Sequence, residues 1–241
     1  WVSVVAYALA LVLGLLIALL RRSSNMVIYQ VATFYVEAVR GIPTLVLVYW
    51  MALAFIPEVI RLGNGLGETL QHLTISFAIT DERVYDLTFR TLGQRMAEFE
   101  TREFNNTYRA IIALAISYSA FLSEVFRAGI ESVSVGQREA ARSLGMTQVQ
   151  VMRLIVLPQA IRVILPPLGN DFIAMLKESS LVSVLGVQDI TRRGQTYASS
   201  TFTFFQAYNI VALTYLVLTV TLSLVVKGME HYLGRGQRRG D

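Results

Sequence analysis

The chain has 241 residues, of which 54% are hydrophobic and 16% charged, and its mean hydropathy is +0.51. This composition excludes a disordered protein and argues against an ordinary soluble domain. The absence of cysteine excludes disulfides, thiolate metal sites and cysteine nucleophiles, and the net charge of +4 fits arginines at a membrane face better than a nucleic-acid-binding surface.

The first predicted element is an apolar segment over residues 1–20 that contains no charged residue. A helix of this length spans about 30 Å, the thickness of a bilayer core, so we expect a membrane-spanning helix. No basic residues precede the run and no small-residue cleavage site follows it, which argues against a signal peptide. The apolar run opens directly on Trp1, which predicts that further residues precede it. Arg21 and Arg22 place the end of this span in the cytoplasm.

Residues 26–38 predict either a short connecting helix or the start of a second span, which continues to residue 57. Glu37 and Arg40 lie three residues apart, so on a helix they can neutralise each other. Two alternatives remain open for this pair, a structural ion pair or part of an inner gate whose ions exchange partners.

A soluble insert is predicted over residues 58–107. From residue 58 to residue 109 the chain carries eight acidic side chains and six arginines, which fits the outer side of the membrane. We expect a turn at Gly63, Gly65 and Gly67, a β-like stretch over 73–79 and a polar helix over 92–103. The insert is either a surface loop without a function of its own or a docking site for a partner.

A third span is predicted over residues 108–133, with Glu124, Arg127 and Glu131 at helical spacing near its end. Glu124 and Arg127 again lie three residues apart, and the same two alternatives apply to them as to the first Glu–Arg pair. The next stretch, 134–157, is predicted to be cytoplasmic because of Arg138, Arg142 and Arg153.

We expect two helical pieces in this cytoplasmic stretch, over 136–144 and 147–156. Gly145 allows the turn between them, because glycine adopts a positive φ without strain. Pro158 closes the second piece, because proline lacks the amide hydrogen that a continuing helix needs.

The fourth span, 161–181, is predicted to be interrupted by Pro166-Pro167 and by polar residues. Asn170 and Asp171 lie near mid-membrane, where a charge is costly unless it faces a polar cavity. We expect both side chains to accept hydrogen bonds from a substrate, with Ser179 and Ser180 nearer the outer mouth. An interhelical hydrogen-bond cluster is an equal alternative. Lys177 and Glu178 fit interfacial anchors or a gate better than ligands.

The fifth span, 204–226, is followed by a basic tail that predicts a cytoplasmic C-terminus. The fold class is therefore an all-α integral membrane protein with about five transmembrane helices. Its predicted parts are helices 1 and 2 over 1–57, the periplasmic insert over 58–107, and helices 3 to 5 with a cytoplasmic loop (134–158) over 108–241. The basic residues of the tail are Lys227, Arg235, Arg238 and Arg239.

The sequence predicts no catalytic residue and no metal site. Lys177 and Lys227 are the only lysines and neither follows a glycine, which excludes a phosphate loop of the G-x-x-x-x-G-K-[ST] type. His72 and His231 lie far apart and lack zinc-binding spacing. No G-x-S-x-G pattern occurs, which argues against an intramembrane serine hydrolase.

The segment 139–158 has the pattern E-A-A-x3-G-x9-I-x-L-P, defined by Glu139, Ala140, Ala141, Gly145, Ile155, Leu157 and Pro158. It resembles, at every defined position, the Glu-Ala-Ala loop of ABC importer permeases. Residues 37–43, 124–130 and 167–181 are similar to the polar amino acid permeases that serve glutamine, histidine, arginine and glutamate uptake. The resemblance covers nearly the whole chain except the insert.

The resemblance implies that residues 139–158 form a coupling loop in a groove of a separate ATPase subunit. That subunit would bind ATP and Mg²⁺, so no cofactor is expected in this chain. Glu139 would meet arginines or helix N-termini of the ATPase, and Ala140 and Ala141 would leave room for close contact.

The resemblance also implies an ATP-driven importer of polar amino acids in a bacterial inner membrane, working by alternating access. Its partners would be a periplasmic amino acid-binding protein, two ATPase subunits and a second permease, identical or homologous. The alternative is a membrane sensor or scaffold, whose outer insert binds a ligand and whose inner loop recruits a cytoplasmic partner.

Overall fold

A computed structural model describes residues 1–72, 74–80, 83–88, 90–97 and 104–234, and this part of the chain is almost entirely helical. Strands β1 (Thr74–Thr80) and β2 (Arg83–Thr88) pair antiparallel. The helices in chain order are α1 (Val2–Leu20), α2 (Met26–Gly41), α3 (Thr44–Trp50), α4 (Ile56–Gln71), α5 (Arg90–Ala97), α6 (Asn106–Glu131), α7 (Val135–Ser143), α8 (Gln148–Gln150), α9 (Leu157–Glu178), α10 (Ile190–Thr201) and α11 (Phe204–Gly234).

Five helical stretches of the described residues are long and apolar enough to cross a membrane, which confirms the predicted fold class. They are Val2–Leu20, Thr44–Gln71, Asn106–Glu131, Gln148–Leu185 and Phe204–Leu233. Helix α2 lies outside them as a connecting helix, because the backbone is extended at Ile42, with φ −99° and ψ 131°, immediately before Pro43. A residue that precedes proline avoids the helical region, so the helix ends there.

Prolines at the start of two long helices follow a π-helical turn. Met51–Phe55 precedes Pro57 at the start of α4, and Val151–Val156 precedes Pro158 at the start of α9. Proline is tolerated in the first turn of a helix, and a wider turn before it accommodates the missing donor. The prediction that Pro158 closes a helix is therefore wrong, since the chain continues from α8 through the π turn into α9.

The predicted interruption of the fourth span at Pro166-Pro167 is also wrong, because α9 runs continuously from Leu157 to Glu178. The proline rings remove two amide donors but leave the helical path intact. The helix tightens to a 3-10 turn only at Ser179–Leu185, which ends at Gly186 with φ +78°.

The chain divides into two compact units, Trp1–Val48 with Ala110–Asp241, and Tyr49–Arg109. Helix α6 supplies much of the core of the first unit, and small side chains dominate its buried face. Gly14 of α1 lies so close to α6 that an added Cβ would stand 2.9 Å from Cβ of Leu122. On another side, the Tyr35 hydroxyl of α2 donates to the Ile116 carbonyl at 2.9 Å.

Within the second unit, α4 and α5 pack together and β1 and β2 form a hairpin with Thr74 opposite Thr88. The predicted turn at Gly63, Gly65 and Gly67 is wrong, because all three lie inside α4. Glycine weakens a helix by about 1 kcal/mol per residue relative to alanine, which the packing against α5 offsets. Leu73 and residues 98–103 of the predicted insert elements, and Arg235, Arg238 and Arg239 of the tail, lie outside the described residues.

Candidate functional site

The segment 134–158 is folded by local caps. Ser134 begins α7 by accepting a hydrogen bond from the Gln137 amide at 3.3 Å. Gly145 has φ +81°, as the predicted turn requires. Thr147 and Gln150 then form a reciprocal capping box, with N···O distances of 3.3 and 2.8 Å, that starts α8.

The two alanines of the E-A-A pattern face different ways. Ala140 is exposed beside the exposed Glu139, whereas Ala141 is only 5% exposed. Ala141 packs into a core of this chain's own residues, which also contains Val151 and Val156. The expectation that Ala141 leaves room for a partner needs correction, because its small size instead allows α7 to approach the helix that follows.

The remaining pattern residues divide in the same manner. Ile155 is partly buried against that same core, and Gly145, Leu157 and Pro158 are exposed. Glu139, Ala140 and Gly145 are therefore exposed, and no residue in the described part of this chain covers them.

Four exposed apolar side chains surround the pattern residues, and the sequence analysis missed them. Leu144 is 83% exposed and Val149 is 73% exposed, and both lie next to the turn at Gly145. A cluster of exposed apolar side chains marks a protein or membrane interaction site. The available signal was apolar residues in an otherwise charged and polar stretch. The full set, termed here the apolar tip, is Val135, Leu144, Val149 and Leu154.

The carboxylate of Glu124 is the centre of an ion network at the end of α6. It pairs with Arg21 from α1 and with Arg127 of its own helix, whose Nη2 lies 2.8 Å away, and Arg40 Nη1 of α2 approaches to 3.8 Å. Arg127 also pairs with Glu131 at 2.6 Å. One carboxylate thus joins three helices.

The Glu124–Arg127 pair is present as expected, but the expected Glu37–Arg40 pair is not formed. Arg40 turns instead toward Glu124 and places its guanidinium 5.6 Å from the centre of the Phe121 ring. Glu37 is exposed and forms no ion pair with the residues that the structure describes. Packing of α2 against α6 offers Arg40 both a carboxylate and an aromatic face, which a pair on one helix cannot.

A polar cluster surrounds Asp171 in α9. Asp171 is half-buried, and Tyr118 of α6 interacts electrostatically with both Asp171 and Glu178. The Tyr7 hydroxyl of α1 donates to the Leu168 carbonyl at 2.5 Å. Asn170, by contrast, is exposed. Asp171 therefore lies near the tyrosines of α1 and α6, whereas Asn170 is exposed.

The two predicted serines lie at the far end of α9. Ser179 is buried, and its hydroxyl donates to the Leu176 carbonyl at 2.7 Å. Ser180 is partly buried, and its carbonyl accepts from the Ser183 hydroxyl at 2.7 Å. Lys177 is exposed. Ser179 lines a cavity.

That cavity has a volume of about 300 Å³ and contains groups of both charges. Asp189 and Arg193 line it with Ser179, Gln188 and Tyr215. The Asp189 carboxylate is fixed in place, because it accepts the Arg192 amide at 2.7 Å and the Tyr215 hydroxyl at 3.3 Å. Asp189 and Arg193 were missed in the sequence, although Asp189 directly before a helix fits the N-cap pattern.

Comparisons with known proteins agree on one family. Residues 10–239 match the family described as binding-protein-dependent transport system inner membrane component. The chain is 35% identical over 231 residues to the probable glutamine ABC transporter permease protein GlnM of Bacillus subtilis (strain 168), covering 96% of this chain and 88% of that protein. It is 32% identical over 238 residues to the probable amino-acid permease protein YxeN of the same organism, covering 99% and 89%.

Solved structures give the same result. The crystal structure of an amino acid ABC transporter with histidines matches with a TM-score of 0.71 at 35% identity, covering 96% of this chain and 88% of that chain. An inward-facing MetNI methionine ABC transporter matches with a TM-score of 0.63 at 16% identity, covering 96% and 91%, which shows likeness of fold.

Proposed function

We propose a function for this chain from one premise, that it belongs to the family of binding-protein-dependent transport system inner membrane components. It is a multi-pass membrane protein and the permease subunit of an ABC amino acid importer. In such a transporter the ATPase is a separate subunit, so this chain supplies the pathway and not the nucleotide chemistry. We propose that ATP and Mg²⁺ bind to that ATPase alone.

The exposed face of the segment 134–158 carries this proposal. Glu139, Ala140 and Gly145 are accessible, and the apolar tip adds side chains that water solvates poorly. An interface core of exposed apolar groups with a polar rim is typical of a protein docking site. We propose that the ATPase covers this face and that movement of the ATPase is transmitted to the membrane helices through the segment 134–158.

The same assignment sets the orientation of the chain. With the segment 134–158 in the cytoplasm, Arg21 and Arg22 and the basic tail also lie on the cytoplasmic side, and the C-terminus is cytoplasmic. Helix α10 then lies on the outer side, where we propose that a periplasmic amino acid-binding protein approaches.

We propose that the substrate passes along α9 and the 3-10 turn that follows it, by Asp171 and Ser179. An amino acid presents an ammonium and a carboxylate, so its pathway needs acceptors and donors together. The cavity near Ser179 offers the carboxylate of Asp189 and the guanidinium of Arg193. The polar cluster around Asp171 lies about two helical turns further along α9. Asn170 and Ser180 flank these two positions.

Five spans do not readily enclose a pathway, so we propose that two permease chains, identical or homologous, assemble with two ATPase subunits. Alternating access then follows from exchange between two arrangements of the same helices. The ion network at Glu124 lies where such an inner gate is expected, because it joins helices at the end from which α7 departs.

Reconstitution of the chain into lipid vesicles tests this function. The complex with its ATPase and binding protein should accumulate glutamine, arginine, histidine or glutamate only when ATP is present on the side of the segment 134–158, and a competition panel identifies the preferred substrate. Docking of the ATPase without any solute accumulation would instead favour the scaffold alternative and overturn the proposal.

Asp171→Asn should change the substrate profile in these vesicles. The substitution removes the charge and keeps the size, so uptake of amino acids with a cationic side chain should fall most, about tenfold relative to neutral ones. Uptake of each labelled amino acid is the measurement, and the exposed Glu230→Gln variant on α11 serves as the matched control. An unchanged profile across acidic, neutral and basic amino acids removes Asp171 from the pathway.

A further inference from the structure

The side chain of Arg138 joins α7 to the end of α6. Its Nη2 donates to the Val133 carbonyl at 2.5 Å and its Nε to the same carbonyl at 3.2 Å. The same Nη2 also lies 3.5 Å from the carbonyls of Ile130 and Glu131. The carbonyls of Ile130 and Glu131 belong to the last turn of α6, where a helix has no amides left to satisfy them, and Val133 lies just beyond that turn. A cation is favoured at this position by the helix dipole as well.

The residue before it joins α7 to a second membrane helix. Gln137 Oε1 accepts a hydrogen bond from Gln159 Nε2 of α9 at 3.0 Å, and the same Gln159 amide donates to the Ile155 carbonyl at 3.0 Å. Between these polar contacts, Ala141 packs into the core that α7 shares with the start of α9. Helix α7 is therefore attached on both flanks.

The covalent connection between α6 and α7 consists only of residues 132–134. A three-residue backbone link bends under a push on α7 unless side chains brace it. Arg138 braces this link, because its guanidinium bonds the Val133 carbonyl within the link and also reaches the Ile130 and Glu131 carbonyls in the last turn of α6. Further along that helix, Arg127 bridges Glu131 and Glu124, and Glu124 contacts Arg21 of α1. A continuous chain of polar contacts thus leads from α7 to α1.

We propose that Arg138 is the positioning residue that makes α7 and the end of α6 move as one body, so that ATPase movement at α7 shifts α6 instead of bending the link. This inference rests on the proposed importer function and assigns a role to a residue outside the E-A-A pattern. Arg138 touches neither the substrate nor the nucleotide. Its loss should separate ATP hydrolysis from transport and leave the docking face itself in place.

The test uses the complete complex of permease, ATPase and binding protein in vesicles, with uptake and ATP hydrolysis measured in the same preparation. For Arg138→Ala we expect normal assembly with the ATPase and continued hydrolysis, while the amount of solute taken up per ATP falls about tenfold. Arg138→Lys should restore part of this ratio, because one ammonium can still donate to the Val133 carbonyl but cannot span several carbonyls.

Arg162→Ala on α9 is the matched control, because Arg162 is exposed and makes no hydrogen bond or ion pair with the part of the chain that the structure describes. Its uptake per ATP should equal that of the unchanged protein. An unchanged ratio in Arg138→Ala would overturn the inference, and so would a loss of hydrolysis and uptake in equal proportion by an assembled complex, which indicates a merely structural role.

Two further outcomes keep the inference separate from the proposed function. If the Arg138→Ala protein does not assemble with the ATPase, uptake per ATP is compared between Arg138→Lys and the unchanged protein. Equal values overturn the inference. If the complex with the unchanged permease shows no ATP-dependent uptake, the importer function fails. If that complex shows normal uptake and the Arg138 variants have the same uptake per ATP, only the role of Arg138 is refuted.

Discussion

Leu144→Asp should abolish ATP-dependent uptake by preventing the ATPase from binding. Leu144 is 83% exposed at the turn before Gly145, so the docked ATPase would cover a side chain that this chain leaves in water. A charge at a covered apolar position costs at least as much as the loss of an interface hot spot, about 2 to 4 kcal/mol, which weakens binding by roughly thirtyfold or more. Co-purification with the ATPase and uptake in vesicles measure both consequences.

Leu144→Met is the matched control, because it keeps the volume and the apolar character of the side chain and should retain docking and uptake. The thermal unfolding of the permease alone should not change in either variant, since an exposed side chain contributes little to its own fold. Normal docking of the Leu144→Asp protein would show that the ATPase approaches some other face.

Glu124→Gln should be the most destabilising single substitution among the ionic residues described. The Glu124 and Arg21 side chains are only 20% and 9% exposed, and removal of the carboxylate charge leaves Arg21 buried without a counter-ion. Breaking a buried pair from one side costs about 3 to 5 kcal/mol, and we expect about 2 to 4 here because some solvent reaches Glu124. Denaturant or thermal unfolding in detergent measures the loss.

Glu58→Gln provides the comparison. Glu58 and Arg61 form an ion pair with the same three-residue spacing, but their side chains are 50% and 78% exposed, so its loss should cost less than about 0.5 kcal/mol. In the Arg21→Gln and Glu124→Gln double variant, much of the cost should be recovered, because no buried charge is left unpaired and Arg40, which also loses Glu124, is 43% exposed. Equal effects of Glu124→Gln and Glu58→Gln would contradict the role of Glu124 as a junction of three helices.

The features that the sequence predicts well are local ones. A run of apolar residues reports directly on burial in lipid, which is why the span over residues 1–20 and the number of spans agree with the prediction. The turn at Gly145 was also predictable, because a positive φ is a requirement of the single residue. The outward position of Glu139 and Ala140 agrees with the pattern that carries the resemblance.

The features that could not be predicted depend on which helices become neighbours. Arg21 and Glu124 are 103 residues apart in the chain, and Glu124 already has a suitable partner three residues away. Arg40 likewise had Glu37 nearby and contacts Glu124 instead. Spacing along a helix shows which pairs are possible, but only tertiary packing decides between a local and a distant partner.

The errors over α4 and Pro158 have the same physical origin. Glycine and proline lower the helix propensity of an isolated segment, but packing against α5 retains α4 over Gly63, Gly65 and Gly67. A π turn likewise lets α9 include Pro158. The cavity residues Asp189 and Arg193 were not predicted, because an aspartate at a helix N-cap is common. The contact of Asp189 with Tyr215 is evident only once α10 and α11 are placed.

Ala140 is exposed and Ala141 is buried, so with the proposed ATPase docked on this face two adjacent identical residues would be constrained by different molecules. A larger residue at position 140 should be tolerated wherever the cognate ATPase carries a matching reduction in size, so this position should covary across the subunit boundary. A larger residue at position 141 cannot be compensated by a change in the ATPase, because Val151 and Val156 of the same polypeptide surround it. Permeases that exchange ATPase partners during evolution should therefore vary at the first alanine and retain the second.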